Sequence, residues 1–253
     1  MRKFFYWYLP LVVALTATAV FAAGFYSYLR GDIGTSVALI PPKSSQLPAS
    51  QQPLITPIIL GDSLARGAGD MSGLGIGGRL DQELRRRGIR AQHTVNLGVN
   101  GARTADLLRQ LDSRNVQTVL AQSNVIIISI GGNDLGVTVD LRNAQPVNAE
   151  SVENGVLDRV GQIVKRVRDA SPHARIFFVG LYNPYATSPR GRLITALVNR
   201  WNAKLIDRFS TDPNVFVVQT IDIIANHNRL AMDNFHPGDE GYALIARRIA
   251  DGV

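Results

Sequence analysis

From residue 54 onward the chain alternates short apolar runs with longer stretches whose apolar residues recur at helical spacing. Short β-branched runs suit buried strands, and the longer period suits amphipathic helices. Leu54–Leu60 (LITPIIL) predicts a first strand, with Pro57 arguing for an edge position or a late start. His93–Leu97 predicts a second strand. Val125–Ile130 (VIIISI) has no polar break except Ser129 and predicts a central parallel strand. Arg175–Leu181 (RIFFVGL) and Val215–Val218 predict a fourth and a fifth. Helices are predicted within Gly73–Arg87, ending near Gly88, and over Thr104–Leu111, Ser151–Ala170, Gly191–Phe209 and Gly238–Ala250. In Gly191–Phe209, Leu193, Leu197, Trp201 and Leu205 are spaced in fours.

Strands that alternate with helices imply right-handed crossovers and a mostly parallel five-stranded sheet with helices on both faces. Sites in such sheets lie beyond the carboxyl ends of the strands. Residues 54–253 are expected to form this domain.

The N-terminal pattern is different. From Phe4 to Leu29 there is no charged residue, a run longer than the ~20 that a membrane-crossing helix needs. Arg2 and Lys3 precede it, and aromatic residues gather at both of its ends. Residues 1–30 are therefore expected to be a transmembrane anchor with the domain outside the cytoplasm. A cleaved signal segment, with Ala17, Ala19, Ala22 and Ala23 supplying small residues, is the competing reading and would give a secreted protein. A buried core helix would be shorter. Residues 31–53, with Pro41, Pro42, Pro48 and Pro53 among Ser and Gln, read as an extended spacer.

Composition narrows the chemistry. Hydrophobic residues make up 45% of the chain, which excludes a disordered protein. The absence of cysteine excludes disulfides, Cys-ligated zinc and a Cys nucleophile. Four scattered histidines suggest no metal site, and no cofactor is expected. Net charge is +7, from 27 Lys and Arg against 20 Asp and Glu. Arg85-Arg86-Arg87 is the one tight basic cluster, so nucleic acid is not an expected partner, whereas an anionic membrane surface or polymer is compatible.

The residues just after the strands carry the candidate chemistry. Gly61-Asp62-Ser63-Leu64 follows the first, Gly98-Val99-Asn100-Gly101 the second, and Gly131-Gly132-Asn133-Asp134 the third. Asp233-Asn234-Phe235-His236 lies after the fifth and before the last helix. From about residue 56 to the C-terminus, these four segments in this order resemble the SGNH, or GDSL, hydrolase family. The resemblance implies a three-layer α/β/α sandwich of flavodoxin-like type and a serine esterase or lipase.

It also implies roles for single residues. Ser63 would be the nucleophile, His236 the general base and Asp233 the group that orients His236. The backbone N–H of Ser63, the backbone N–H of Gly101 and the side-chain amide of Asn133 would form the oxyanion hole. Physical need agrees: a serine hydroxyl requires a neighbouring base, and imidazole titrates near neutrality. Blander readings exist for each. Ser63 could cap a helix, Gly101 could be a turn glycine, Asn133 a cap, and Asp233 could cap a turn while His236 bonds to backbone. Gly101 is preferred over Gly98 because the family places its donor at the second glycine. His93, His173 and His227 lack the spacing that His236 has. Asp62 and Asp134 read as structural acceptors for tight-turn N–H groups. Gly67, Gly69, Gly73, Gly75, Gly77 and Gly78 read as a flexible loop bordering the site, and Tyr182 or Tyr185 as lining for an acyl pocket.

The expected substrate is a carboxylic ester, small-molecule, lipid or polysaccharide, with the membrane as a second partner through the N-terminal helix. O-deacetylation of an envelope polysaccharide, and lysophospholipid hydrolysis, are the alternatives. A non-catalytic binding module that keeps the fold is the rival from another class.

Overall fold

A computed structural model of the chain describes residues 2–30, 52–136 and 149–253. It divides into two compact units, Met1–Pro48 and Ala49–Val253.

The N-terminal unit contains one described helix, α1 (Arg2–Arg30). Leu11, Val12, Val13, Leu15, Val20, Phe21 and Phe25 on it are exposed. The Thr16 hydroxyl donates to the carbonyls of Val12 and Val13, and that of Thr18 to the carbonyl of Ala14. Among the described residues no helix is long and apolar enough to cross a membrane. The transmembrane helix expected over 1–30 therefore has no support among the described residues, which show there the helix α1. The spacer expected over 31–53 lies almost wholly outside the described residues.

The second unit carries the α/β fold. Its strands are β1 (Pro57–Gly61), β2 (Val95–Gly98), β3 (Val125–Ser129), β4 (Arg175–Val179) and β5 (Val215–Val218). They form one sheet in the order β2-β1-β3-β4-β5 with every neighbouring pair parallel. Between them run α2 (Ser63–Arg66), α3 (Gly75–Arg86), α4 (Thr104–Leu111), α5 (Arg114–Ala121), α6 (Gly132–Gly136), α7 (Ala149–Ala170) and α8 (Gly191–Phe209), and α9 (Asp239–Ala250) closes the unit.

Successive side chains of a strand point to opposite faces, and the core divides accordingly. Ile58, Leu60, Ile126, Ile128, Ile176 and Phe178 pack with α4, α5, α7 and α8. Ile59, Ile127, Phe177 and Val179 pack with α2, α3 and α9 on the other face. The expected three layers and central third strand are present.

Two local expectations change. Pro57 opens an interior strand, not an edge: β1 has β2 on one side and β3 on the other. A proline is tolerated there because its missing N–H falls at the strand's first residue. The helix α5 was not anticipated; Val116 and Leu120, four residues apart, are the only residues it buries fully against the core.

Candidate active site

The turn after β1 is set by backbone proximity. Gly61 has φ 134°, and a Cβ there would lie 1.8 Å from the Ser129 carbonyl oxygen of β3. Only glycine fits. At Gly98 a Cβ would meet the Arg66 nitrogen at 2.5 Å, so β2 also admits α2 only through a missing side chain. Ser63 is therefore held at the first position of α2, beyond the carboxyl end of a central strand.

Asp62 caps that helix. Its carboxylate accepts from the Leu64 N–H at 3.0 Å and the Ser129 hydroxyl at 3.2 Å. Burial pushes its pKa up to about 6, with these hydrogen bonds pulling partly back. Asn96 supports the same turn, donating its amide to the Ala65 carbonyl at 2.9 Å and accepting from the Gly98 N–H at 2.9 Å.

The histidine comes from a tight loop between β5 and α9. The Ala231 N–H donates to the His236 carbonyl at 2.7 Å, and Asn234 has a left-handed φ of 55°. One oxygen of Asp233 accepts the N–H groups of Phe235 and His236 at 3.0 and 2.9 Å. Its other oxygen meets His236 Nδ1 at 2.6 Å. His236 Nε2 stands 2.9 Å from Ser63 Oγ. A carboxylate accepts only, so Nδ1 carries the hydrogen, Nε2 accepts, and the serine hydroxyl donates. Burial pushes the Asp233 carboxyl up, but its bonds to His236 and to the two N–H groups outweigh that and hold it below the ordinary value. The structure thus brings Ser63, His236 and Asp233, sequence-predicted residues, into one hydrogen-bonded chain.

Asn133 and Gly101 lie on two further loops that touch. The Asn133 amide donates to the Ala102 carbonyl at 2.9 Å, which uses one of its two N–H bonds. Gly101 turns with φ 75°, and nothing lies within 4 Å of where its side chain would be. Asp134 fastens the two loops: it accepts from the Thr104 N–H at 2.9 Å, the Thr104 hydroxyl at 2.6 Å and Arg159 at 3.3 Å.

The glycine-rich stretch borders the site at Gly69, and side-chain hydrogen bonds cross-link it. Asp70 organises it, accepting from the Ser72 N–H and hydroxyl, from the Gly75 N–H at 2.7 Å and from Arg79 at 2.9 and 3.0 Å. Burial opposes ionisation of Asp70, but Arg79, Ser72 and Gly75 together hold its carboxyl well below the usual range. The Tyr242 hydroxyl donates to the Ala68 carbonyl at 2.6 Å, and the Met71 N–H to Asp239 at 3.0 Å. Gly69, with φ 90°, lies against the His236 loop: a Cβ there would come within 2.8 Å of His236 Cβ and of the Pro237 carbonyl oxygen.

The Tyr182 hydroxyl donates to the Phe235 carbonyl at 2.9 Å. Tyr185 is exposed, its ring 6.2 Å from that of Phe235. The other histidines are elsewhere. His93 precedes β2 and meets Asp81 at 3.1 Å, His173 precedes β4, and His227 is exposed on a short 3-10 turn. Among the described residues no group of three His, Cys, Asp or Glu could hold a metal ion. A cavity of about 570 Å³ on the open edge of β5, lined by Phe216, Ile221 and Arg248 among others, shares no residue with the Ser63 site.

A profile of the GDSL-like Lipase/Acylhydrolase family matches residues 59–244. The chain belongs to this family. As a GDSL hydrolase it is a carboxylic ester hydrolase. Its match spans the turn that holds Ser63, both partner loops and the His236 loop. The hydrolase is 29% identical over 203 residues to the uncharacterized protein YpmR of Bacillus subtilis (strain 168), covering 77% of this chain and 79% of that protein. Among solved structures it is similar in fold to the lipase Lip_vut3 from a goat rumen metagenome, with TM-score 0.67, 18% identity, and 77% and 95% of the two chains covered. It is similar as well to the extracellular lipase of Streptomyces rimosus, with TM-score 0.58, 19% identity and coverage of 76% and 97%. The family 3 carbohydrate esterase of Clostridium thermocellum gives TM-score 0.57, 17% identity and coverage of 78% and 93%.

Proposed function

We propose that this GDSL hydrolase cleaves its ester through an acyl-enzyme on Ser63. The supporting observation is the chain from Asp233 through His236 to Ser63, at 2.6 and 2.9 Å. As Ser63 Oγ attacks the carbonyl carbon, His236 Nε2 takes its proton, and Asp233 stabilises the imidazolium that forms. The negative oxygen of the tetrahedral intermediate is held by the N–H of Ser63, the N–H of Gly101 and the remaining amide N–H of Asn133. Ser63 opens a helix, where N–H groups lack intrahelical partners, which suits its backbone to that task. The imidazolium then hands its proton to the departing alcohol. Water repeats the sequence and releases the acid, with no metal or organic cofactor taking part.

A fold-retaining binding module is disfavoured, because Ser63, Asn133, Asp233 and His236 are all present and Ser63, His236 and Asp233 are hydrogen-bonded in register. The similar structures include both lipases and a carbohydrate esterase, so ester chemistry is their common ground. A fluorophosphonate probe should label Ser63, and Ser63→Ala should lose both labelling and turnover of p-nitrophenyl acetate while keeping its melting temperature. Normal turnover by Ser63→Ala would end this reading.

The reading places the catalytic domain outside the cytoplasm, tethered by its N-terminal segment. The uncharged stretch from Phe4 to Leu29 behind Arg2 and Lys3 supports this, as do the exposed apolar side chains and internally bonded hydroxyls of α1. Residues 31–53 would be the spacer. Membrane fractions washed at alkaline pH should retain the protein, and protease added outside should reach its catalytic domain. Recovery in the cytosol would overturn the placement.

A further inference from the structure

Phe235 and Tyr185 are large aromatic residues left exposed, at 41% and 38%, on the rim that carries His236. Their rings lie 6.2 Å apart at 47°. Phe235 also meets the His236 imidazole edge-on, with centroids 4.9 Å apart and planes at 89°. Water contact of this extent forgoes apolar burial, so exposure this close to a catalytic base calls for an occupant.

Both rings are held from the backbone. Asn234 adopts φ 55°, a left-handed conformation that disfavours side-chain-bearing residues, and so projects Phe235. The Phe235 N–H is bound by Asp233 and its carbonyl by Tyr182. Under the second ring, the Tyr185 N–H donates to Asn183 at 2.8 Å. Asn183 is itself buried and donates to the Gly191 carbonyl and the Thr195 hydroxyl. The pair is therefore a preorganised surface, which loses little freedom when something settles on it.

Its side of the site can be assigned from the reaction. His236 Nε2 returns its proton to the departing alcohol, so the alcohol portion lies against the imidazole, next to Phe235. The carbonyl oxygen is held by groups from other loops, at Gly101 and Asn133. We propose that Phe235 and Tyr185 form the shelf for the alcohol portion of the ester, and that this portion is a sugar ring bearing an O-acyl group. The proposal rests on the Ser63–His236 hydrolase reading. An alkyl chain gains most when withdrawn from water on all sides, which two tilted, half-open rings do not provide. A sugar presents a C–H face to an aromatic ring and keeps its hydroxyls for water and polar neighbours. Asp233, its side chain 46% exposed, and Asn234 supply such neighbours.

The test compares three esters: an O-acetylated oligosaccharide, vinyl acetate, whose alcohol is too small to reach the shelf, and a lysophosphatidylcholine. Phe235→Leu and Tyr185→Leu keep apolar bulk but remove the ring. Each should lower the ratio of kcat/KM for the acetylated sugar over vinyl acetate by about tenfold, through KM more than kcat. An unchanged ratio, with both esters falling together, would mean that the rings only brace His236, and would overturn the proposal. A selective loss on lysophosphatidylcholine, which has no sugar and carries its alkyl chain on the acyl side, would overturn it in favour of a phospholipid substrate. Tyr185→Leu keeps the test decisive should Phe235→Leu fail to fold, since Asn183 holds the Tyr185 backbone without help from its ring. Wild-type protein that resists fluorophosphonate and turns over none of the three would sink the hydrolase reading itself. Labelling of Ser63 with no sugar preference sinks only the shelf.

Discussion

Replacing Gly69 with alanine should cripple catalysis although every reacting residue keeps its identity. The added Cβ would fall 2.8 Å from His236 Cβ, 2.8 Å from the Pro237 carbonyl oxygen and 2.9 Å from Ala231 Cβ. Carbon contacts are ordinary at ~3.5–4.0 Å, so the His236 loop and the Gly69 loop must separate by roughly 1 Å. His236 Nε2 now sits 2.9 Å from Ser63 Oγ, and that much displacement takes it out of hydrogen-bond range. Misplacement of ~1 Å in a catalytic group lowers turnover on the order of 100-fold. Stability falls too: a left-handed alanine costs ~1–2 kcal/mol, and overpacking adds ~1–3 kcal/mol. Gly73→Ala is the matched control. Gly73 also has positive φ, 70°, but nothing lies within 4 Å of its would-be side chain. It should lose only the ~1–2 kcal/mol of backbone strain and keep its kcat/KM. Turnover of p-nitrophenyl acetate well below each variant's melting temperature, with the rate of Ser63 labelling, reads the difference. If folded Gly69→Ala turns over as fast as Gly73→Ala, close packing on the histidine loop does not set its position.

Asp62 gives a pH prediction. Its folded pKa, about 6, lies above the unfolded 3.8, so the stability tied to its protonated form is complete below 3.8 and lost as pH rises through 6. Asp62→Asn keeps that stability, so denaturant melts should show the variant gaining on wild type across this window by up to ~3 kcal/mol and levelling off above it; a constant difference would contradict the burial argument. Asn133→Ala should lower kcat by on the order of 100-fold with little change in KM, as loss of an oxyanion donor requires, and an effect confined to KM would remove Asn133 from that role. Tyr182→Phe deletes one hydrogen bond to the histidine loop; a loss of ~1 kcal/mol and about fivefold in kcat/KM is expected from melts and ester kinetics, and no kinetic change would make Tyr182 a packing residue only.

The strands could be read from the sequence because each is a compact β-branched run, and β3 (VIIIS) is buried throughout, as its lack of polar breaks implied. Strand starts were harder. Leu54 and Ile55 are as apolar as Ile58 and Ile59, yet the ladder begins at Pro57. The short α5 was hidden because Val116, Val119 and Leu120 make a single turn of helical spacing, too short to stand out as a period. Asp233 and His236 were legible through the resemblance, whose motif here is local: they lie three positions apart. Tyr182, Asn96 and Gly69 were not. Tyr182 meets Phe235 across 53 positions, and Asn96 meets Ala65 across 31. Nothing in the neighbourhood of either residue announces such a contact. The glycine cluster was visible, but glycine marks both flexible loops and loops that must pass close to another backbone, and composition cannot separate the two.

That second use explains how a rather open Asp–His pair keeps its geometry. The Asp233 side chain is 46% exposed and that of His236 18%, so no enclosing core fixes them. Ser63, by contrast, is tied to the sheet through Gly61, Gly98 and Asp62. A nucleophile on a rigid sheet and a base on a surface loop will drift apart unless the loop is held to the same frame, and catalytic groups tolerate only ~0.5 Å of drift. The frame is extended to the loop from both sides. On one, residues 67–71 leave the nucleophile's own helix and bind the histidine loop and α9 through Gly69, the Ala68–Tyr242 bond and the Met71–Asp239 bond. On the other, Tyr182 follows β4 and grips Phe235. The Ala68–Tyr242 bond joins positions 174 residues apart, so the loop that follows the serine holds the element that follows the histidine. The Ser63–His236 distance is then fixed by how closely two backbones approach, which is why side-chain size at Gly69, and not only the identity of the reacting residues, should govern the rate.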